Sequence, residues 1–346
     1  MSKTEQKLLT PGPLLDRKGD PAEAGYATSL VREYARADIR APGWRIKEWD
    51  YYYIGCGDTG VCLTVADNSY MAMLSVSVLD FVRRSYITRS RMKFFTGGKL
   101  ALPASSVSGT TAGSFGGCSI RFTAKDGVRH LVAEMVDFGE NKEPFSCEFT
   151  LTDEPRDSMV IVTPFDKPKH FYYNQKINAM RAVGHYTIGD RTVTTDDGLG
   201  TLDWGRGVWT YRNEWYWASL SARLPDGRTV GYNLGYGFGN TSAASENMLF
   251  CDGVAHKLGH VHFDIPKKAD GTDDFLSHWH ITDSDGRVDL RMEPLLDRKD
   301  HTSAVIISSD QHQVFGRIYG SIMLDSGEIL TLDGPVGFAE KVRNRW

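Results

Sequence analysis

The stretch GLGTLDWGRGVWTYRNEWYWAS, residues 198–219, sets four of the chain's eight tryptophans around Asp203, Arg206 and Glu214. A carboxylate held in an apolar mouth has a raised pKa and exchanges protons near neutral pH, and tryptophan faces steady a developing carbocation. Asp203 and Glu214 are therefore candidate acids or bases, Arg206 the group that sets the carboxylate's charge state, and Trp204, Trp209, Trp215, Tyr216 and Trp217 the candidate pocket wall. The bland alternative is an Asp203–Arg206 ion pair closing a barrel end, with the tryptophans as core.

Other chemistry-bearing residues are scattered. Glu246 and Asn247 follow the Gly-rich run GYGFGNTS, where a loop carboxylate beside an amide would orient a substrate or simply face solvent. His185 is a possible acid/base or a strand residue bonded to backbone. Two His-x-His pairs, His260 with His262 and His278 with His280, would each project to one strand face, as some zinc sites require, but no third ligand is marked and no metal site is assigned. Arg83, Arg84, Arg89, Arg91 and Lys93 read as a solvated strand face. Phosphate-loop and nucleophile-elbow motifs are absent, and the Gly- and Ser-rich run 97–117 reads as a flexible loop or a lid over a pocket.

The elements that must position these residues are strands. Alternation puts Trp215, Trp217, Ser219 and Ser221 on one face and Glu214, Tyr216, Ala218 and Leu220 on the other. Gly205 and Gly207 bracket Arg206 and predict a sharp backbone that aims its neighbours inward. Asp-Gly at 126–127, 197–198, 226–227, 252–253, 285–286 and 333–334 supplies the positive φ angles of tight hairpins, and hairpins read directly over 119–138 and 215–237. Helix is scarce; the best candidate is a short one within 20–40. The segment 165–190, with Pro168 and then polar residues, reads as a connector, and 44–81 resembles 209–238 closely enough to suggest duplication.

With 346 residues, 41% hydrophobic and 24% charged, two packed globular units are expected. A net charge of −4 leaves no basic footprint for nucleic acid, and no apolar run reaches the length of a membrane span. The five scattered cysteines and the start, which lacks a signal-peptide core, suggest a cytoplasmic protein.

The motifs TPGPLLDRKG, KEWDYYYI, LTVADNSY, LDWGRGVWTYRNEWYWAS and GPVGFAEKVRNRW together resemble the bacterial domain of unknown function 2804. That family is similar to two-domain lipocalin-like proteins that include carotenoid hydratases, AttH proteins and pericyclase-type cyclases. The resemblance implies an all-β chain of two consecutive lipocalin-like antiparallel β-barrels with few short helices and a mainly apolar ligand pocket. The expected division is an extension over 1–40, a first barrel over 41–175 and a second over 176–346. The leading expectation is a lyase or isomerase, of hydratase, dehydratase or cyclase type, that needs no cofactor and acts on a hydrophobic, isoprenoid-like small molecule. The alternatives are a non-catalytic carrier of hydrophobic ligands and a metal-dependent hydrolase built on the histidine pairs.

Overall fold

The structure is a computed structural model and describes residues 6–304 and 307–345. Strands dominate it, and helix among the described residues is limited to the 3-10 turns Arg36–Asp38 and Gly43–Arg45. None of the described helices is long and apolar enough to cross a membrane.

Two curled antiparallel sheets follow one another along the chain. Each opens with a strand, Ile46–Cys56 in the first and Arg212–Arg223 in the second, that pairs with the next strand on one side. On its other side it pairs with the last strand of its own sheet, Arg191–Val208 or Ile329–Arg345. Joining first strand to last rolls each sheet towards a barrel. Apart from the branch that Met159–Pro164 and Gly25–Ala27 add to the first sheet, the edges are Ser85–Phe94 and Gly109–Phe115 in the first sheet and Val254–Lys257 and Val261–Asp264 in the second. Arg91 bridges the first gap by donating Nε–H to the Gly116 carbonyl at 2.7 Å.

Alternation decides what each face does. In Ile46–Cys56, Tyr52 and Ile54 join the core enclosed by the first sheet, together with Leu63, Val65, Leu74 and Trp204, while Tyr51 and Tyr53 point the other way. In Arg212–Arg223, Ala218 and Leu220 join the core of the second sheet, while Trp217 packs outward with Tyr51, Tyr53, Phe315 and Phe338. A third aromatic core thus joins the outer faces of the two sheets.

Several sequence expectations change here. Residues 20–40 form no α-helix; Gly25–Ala27 adds to the edge of Met159–Pro164, and Tyr34 donates its hydroxyl to Glu48 at 2.7 Å. Residues 171–188 are a single long strand, so the expected connector is only the turn before it, where Pro168 sits. The expected division after 175 does not match the change of sheet, which falls at 209–211 between Arg191–Val208 and Arg212–Arg223. Asp126-Gly127 and Asp252-Gly253 make hairpin turns with positive φ at both residues. Asp197-Gly198 and Asp333-Gly334 instead lie inside the two long closing strands, beside their register shifts.

Candidate active site

A cavity of about 220 Å³ lies between the outer faces of the two sheets. Its floor is built twice from one pattern. In the first sheet Asp203 has Tyr51 across one strand interface and Lys176 across the other. In the second, Glu340 has Trp217 across one interface and Gln313 across the other. Tyr51 and Trp217 are each the sixth residue of their sheet's opening strand, and Trp49 and Trp215 stand two residues earlier. All eight residues line the cavity.

The polar groups are tightly held. Lys176 Nζ lies 3.4 Å from Asp203 Oδ2 and 3.7 Å from the Trp217 ring centroid. Asn174 donates its amide N–H to Asp203 Oδ1 at 2.6 Å. Glu340 accepts from Trp215 Nε1 at 2.8 Å and from Gln313 Nε2 at 3.1 Å. Trp217 Nε1 donates to Asn233 at 2.6 Å, and Asn233 in turn donates to the Glu246 carboxylate at 3.2 Å. A Cβ at Gly235 would sit 2.7 Å from Glu246 Oε1, so glycine makes room for that carboxylate.

Burial pushes the Glu340 carboxyl up to about 7, against the opposing pull of the Trp215 N–H and of Lys176 and Arg298. Burial likewise raises Glu246. The cleft thus combines a carboxyl that exchanges protons near neutral pH with a carboxylate ion-paired to a lysine, under tryptophan walls. Trp49, Trp209, Trp215 and Phe238 close one end, with Trp49 stacked on Tyr172 at 6.0 Å and Trp209 edge-on to Phe238 at 4.9 Å. Ser75, Thr88 and Ser90 line the other.

The residues singled out from sequence separate by face. Asp203, Trp209, Trp215, Trp217 and Glu246 line the cleft. Trp204 and Arg206 alternate with Asp203 and point into the first sheet's core, where Arg206 pairs with Asp50 at 2.9 Å and donates to the Pro103 carbonyl at 2.8 Å. An Asp203–Arg206 pair does not form, because the two residues face opposite sides of one strand, and Arg206 does not set the charge of Asp203. Glu214 is exposed and ion-paired with Arg343 at 2.6 Å. Tyr216 faces into the second sheet, stacked on Tyr236 at 4.5 Å. Asn247 is buried and pins backbone, accepting from Gly235 N at 2.6 Å and donating to the Gly259 carbonyl at 2.8 Å. His185 sits across from Glu148 and Thr194, away from the cleft.

Gly205 and Gly207 are extended, without positive φ. A Cβ at Gly205 would fall within the Trp49 indole, so this glycine is a slot for a ring rather than a bend. The run 97–117 supplies a plug for the first barrel and an edge strand rather than a lid over this cleft: Ser106 bonds Gln175, and its carbonyl accepts from Arg129 at 2.7 Å. His260, His262, His278 and His280 are all exposed, with His280 bonded to Asp289 at 2.7 Å. Among the described residues no three His, Cys, Asp or Glu side chains gather as a metal site would require.

Sequence reading missed Lys176, Glu340, Gln313, Arg298 and Trp49. Lys176 was hidden in the segment read as a connector. Trp49 lay in the half of the suspected repeat that matches Trp215. Glu340 follows Phe338 by two residues in GPVGFAEKVRNRW, the strand alternation that signals a shared face.

The structure is similar to that of an AttH-like protein from Nitrosomonas europaea, with a TM-score of 0.58, 11% identity and coverage of 95% of this chain and 98% of that one. Kievitone hydratase from Nectria haematococca aligns with a TM-score of 0.46 and 11% identity over 96% of this chain and 98% of that one. No curated protein matches the sequence. Domain of unknown function (DUF2804) is the family whose model matches residues 5–346, and the chain belongs to it.

Proposed function

We propose that the cleft between the two sheets is the active site of an acid/base lyase or isomerase acting on a small, largely apolar molecule. The observation that carries this reading is the convergence of Asp203 and Glu340, one from each sheet, on Lys176 beneath tryptophan walls. Protonated Glu340 delivers its proton to a substrate carbon or to a departing hydroxyl. Asp203, ion-paired with Lys176, takes a proton from carbon or from an attacking water. Addition or loss of water, or a proton shift along an alkene, then requires only these carboxyls and water. Trp215 and Trp217 hold the substrate's flat or branched body and stabilise positive charge that develops on it.

The test separates an enzyme from a carrier. Quenching of tryptophan fluorescence by a panel of prenyl alcohols and aryl alkenes finds ligands, because four indoles line the cleft. Mass spectrometry after incubation in D2O then finds turnover. The proposal expects deuterium in the ligand or its product, lost in Glu340→Gln and Asp203→Asn while quenching persists. Quenching without deuterium for every ligand identifies a carrier instead.

A further inference from the structure

Arg298 is a cation of the cleft with no ion-pair partner among the described residues. Arg298, on Val288–Ala304, donates Nε–H to Gln313 Oε1 at 3.0 Å and Nη1–H to Ser77 Oγ at 3.0 Å. Among the described residues its Nη2 has no hydrogen-bond partner and no carboxylate lies within ion-pair distance of the guanidinium, which lines the cavity. Glu340 is not its partner, because the Gln313 amide stands between them, accepting from Arg298 and donating to Glu340. Lys176 and Asp203 offset one another, and Lys299 and Asp300, exposed on the cavity lining, carry opposite charges, so the guanidinium of Arg298 remains open to a ligand.

The hydrogen bonds form one path across the floor: Trp215 to Glu340, Glu340 to Gln313, Gln313 to Arg298, and Arg298 to Ser77. It runs from the aromatic end of the cavity to the end lined by Ser75, Thr88 and Ser90. A guanidinium is weakly hydrated and planar, and its free N–H groups suit a carboxylate oxygen. Arg298 is half-buried, so a ligand anion would replace water at its guanidinium with a charge-assisted hydrogen bond.

We propose that Arg298 receives the carboxylate of an amphipathic acid substrate whose apolar body lies against Trp215 and Trp217. The placement of its reacting carbon beside Glu340 rests on the acid/base reading above, whereas the head-group contact stands on binding alone.

Calorimetric titration of the full-length protein at pH 7.5 with cinnamate, 3-phenylpropanoate and 4-phenylbutanoate, each against its primary amide, tests the contact. Each acid is expected to bind at least tenfold more tightly than its amide. Arg298→Gln is expected to bring the acid to the amide's level, and Ser77→Ala, which removes the hydroxyl that orients the guanidinium, to reduce the preference in part. Equal affinities in the wild type, no measurable binding of any acid, or a preference that survives Arg298→Gln would overturn the proposal. If Arg298→Gln does not fold, the wild-type comparison and Ser77→Ala decide. Acid preference without deuterium exchange would leave Arg298 assigned and sink the acid/base reading; exchange without acid preference would do the reverse.

Discussion

Asp203 and Glu340 occupy the same place in the closing strands of the two sheets, yet the residue across the next strand is Lys176 for one and Gln313 for the other. The same geometry thus holds one carboxylate against a cation and one against a neutral amide. A cation stabilises the charged form of its neighbour and an amide does so far less, so a duplicated motif yields two carboxyls suited to opposite roles.

Gln313→Lys should remove this difference. An ammonium opposite Glu340 favours its charged form, so the carboxyl should fall by about one unit or more. The pH dependence of deuterium exchange would report this as loss of the acid at a lower pH than in the wild type.

Stability should depend on pH through the same group. The folded-state value of about 7 lies above the ordinary 4.5, so the stability associated with Glu340 is fully present below about pH 4.5 and is lost as pH rises through 7. Urea melts at pH 5 and pH 8 should show the wild type losing up to about 3 kcal/mol relative to Glu340→Gln across that window. A constant difference between the two proteins would contradict the placement of this carboxyl.

Gly205→Ala should destabilise the protein although it changes one methyl on a regular strand. The added Cβ falls within the Trp49 indole, and overpacking of this kind costs about 1–3 kcal/mol. A denaturant midpoint that moves down with an unchanged slope would confirm it.

Glu214→Gln should be nearly silent. Its pair with Arg343 is solvent-exposed, and such pairs contribute about 0–1 kcal/mol. Thermal melts and deuterium exchange should both match the wild type, in contrast to Asp203→Asn.

Much of this architecture was legible in the chain. Period-two alternation and the Asp-Gly turns mark a strand protein, and alternation over 214–221 separates Trp215 and Trp217 from Tyr216 and Leu220. What alternation leaves open is which face meets what. Both faces of these strands are apolar, because one packs inside its own sheet and the other against the second sheet. The outer aromatic face could therefore be mistaken for the lining of a barrel interior. Arg206 looked like the partner of Asp203 because they are three residues apart, but odd spacing along a strand sends them to opposite sides. Lys176 and Glu340 are separated from Asp203 by 27 and 137 residues of chain; strand register joins Lys176 to Asp203, and only the packing of the two outer faces brings Glu340 to them.

The most direct test of the acid/base account is the ionisation of Glu340 itself. Carbon NMR of protein labelled at glutamate side-chain carboxyls, titrated from pH 3 to 9, should show a resonance with a midpoint near 7 that disappears in Glu340→Gln. If every resonance that Glu340→Gln removes titrates below pH 5, the carboxyl is an ordinary carboxylate and the proposed proton donor is not there.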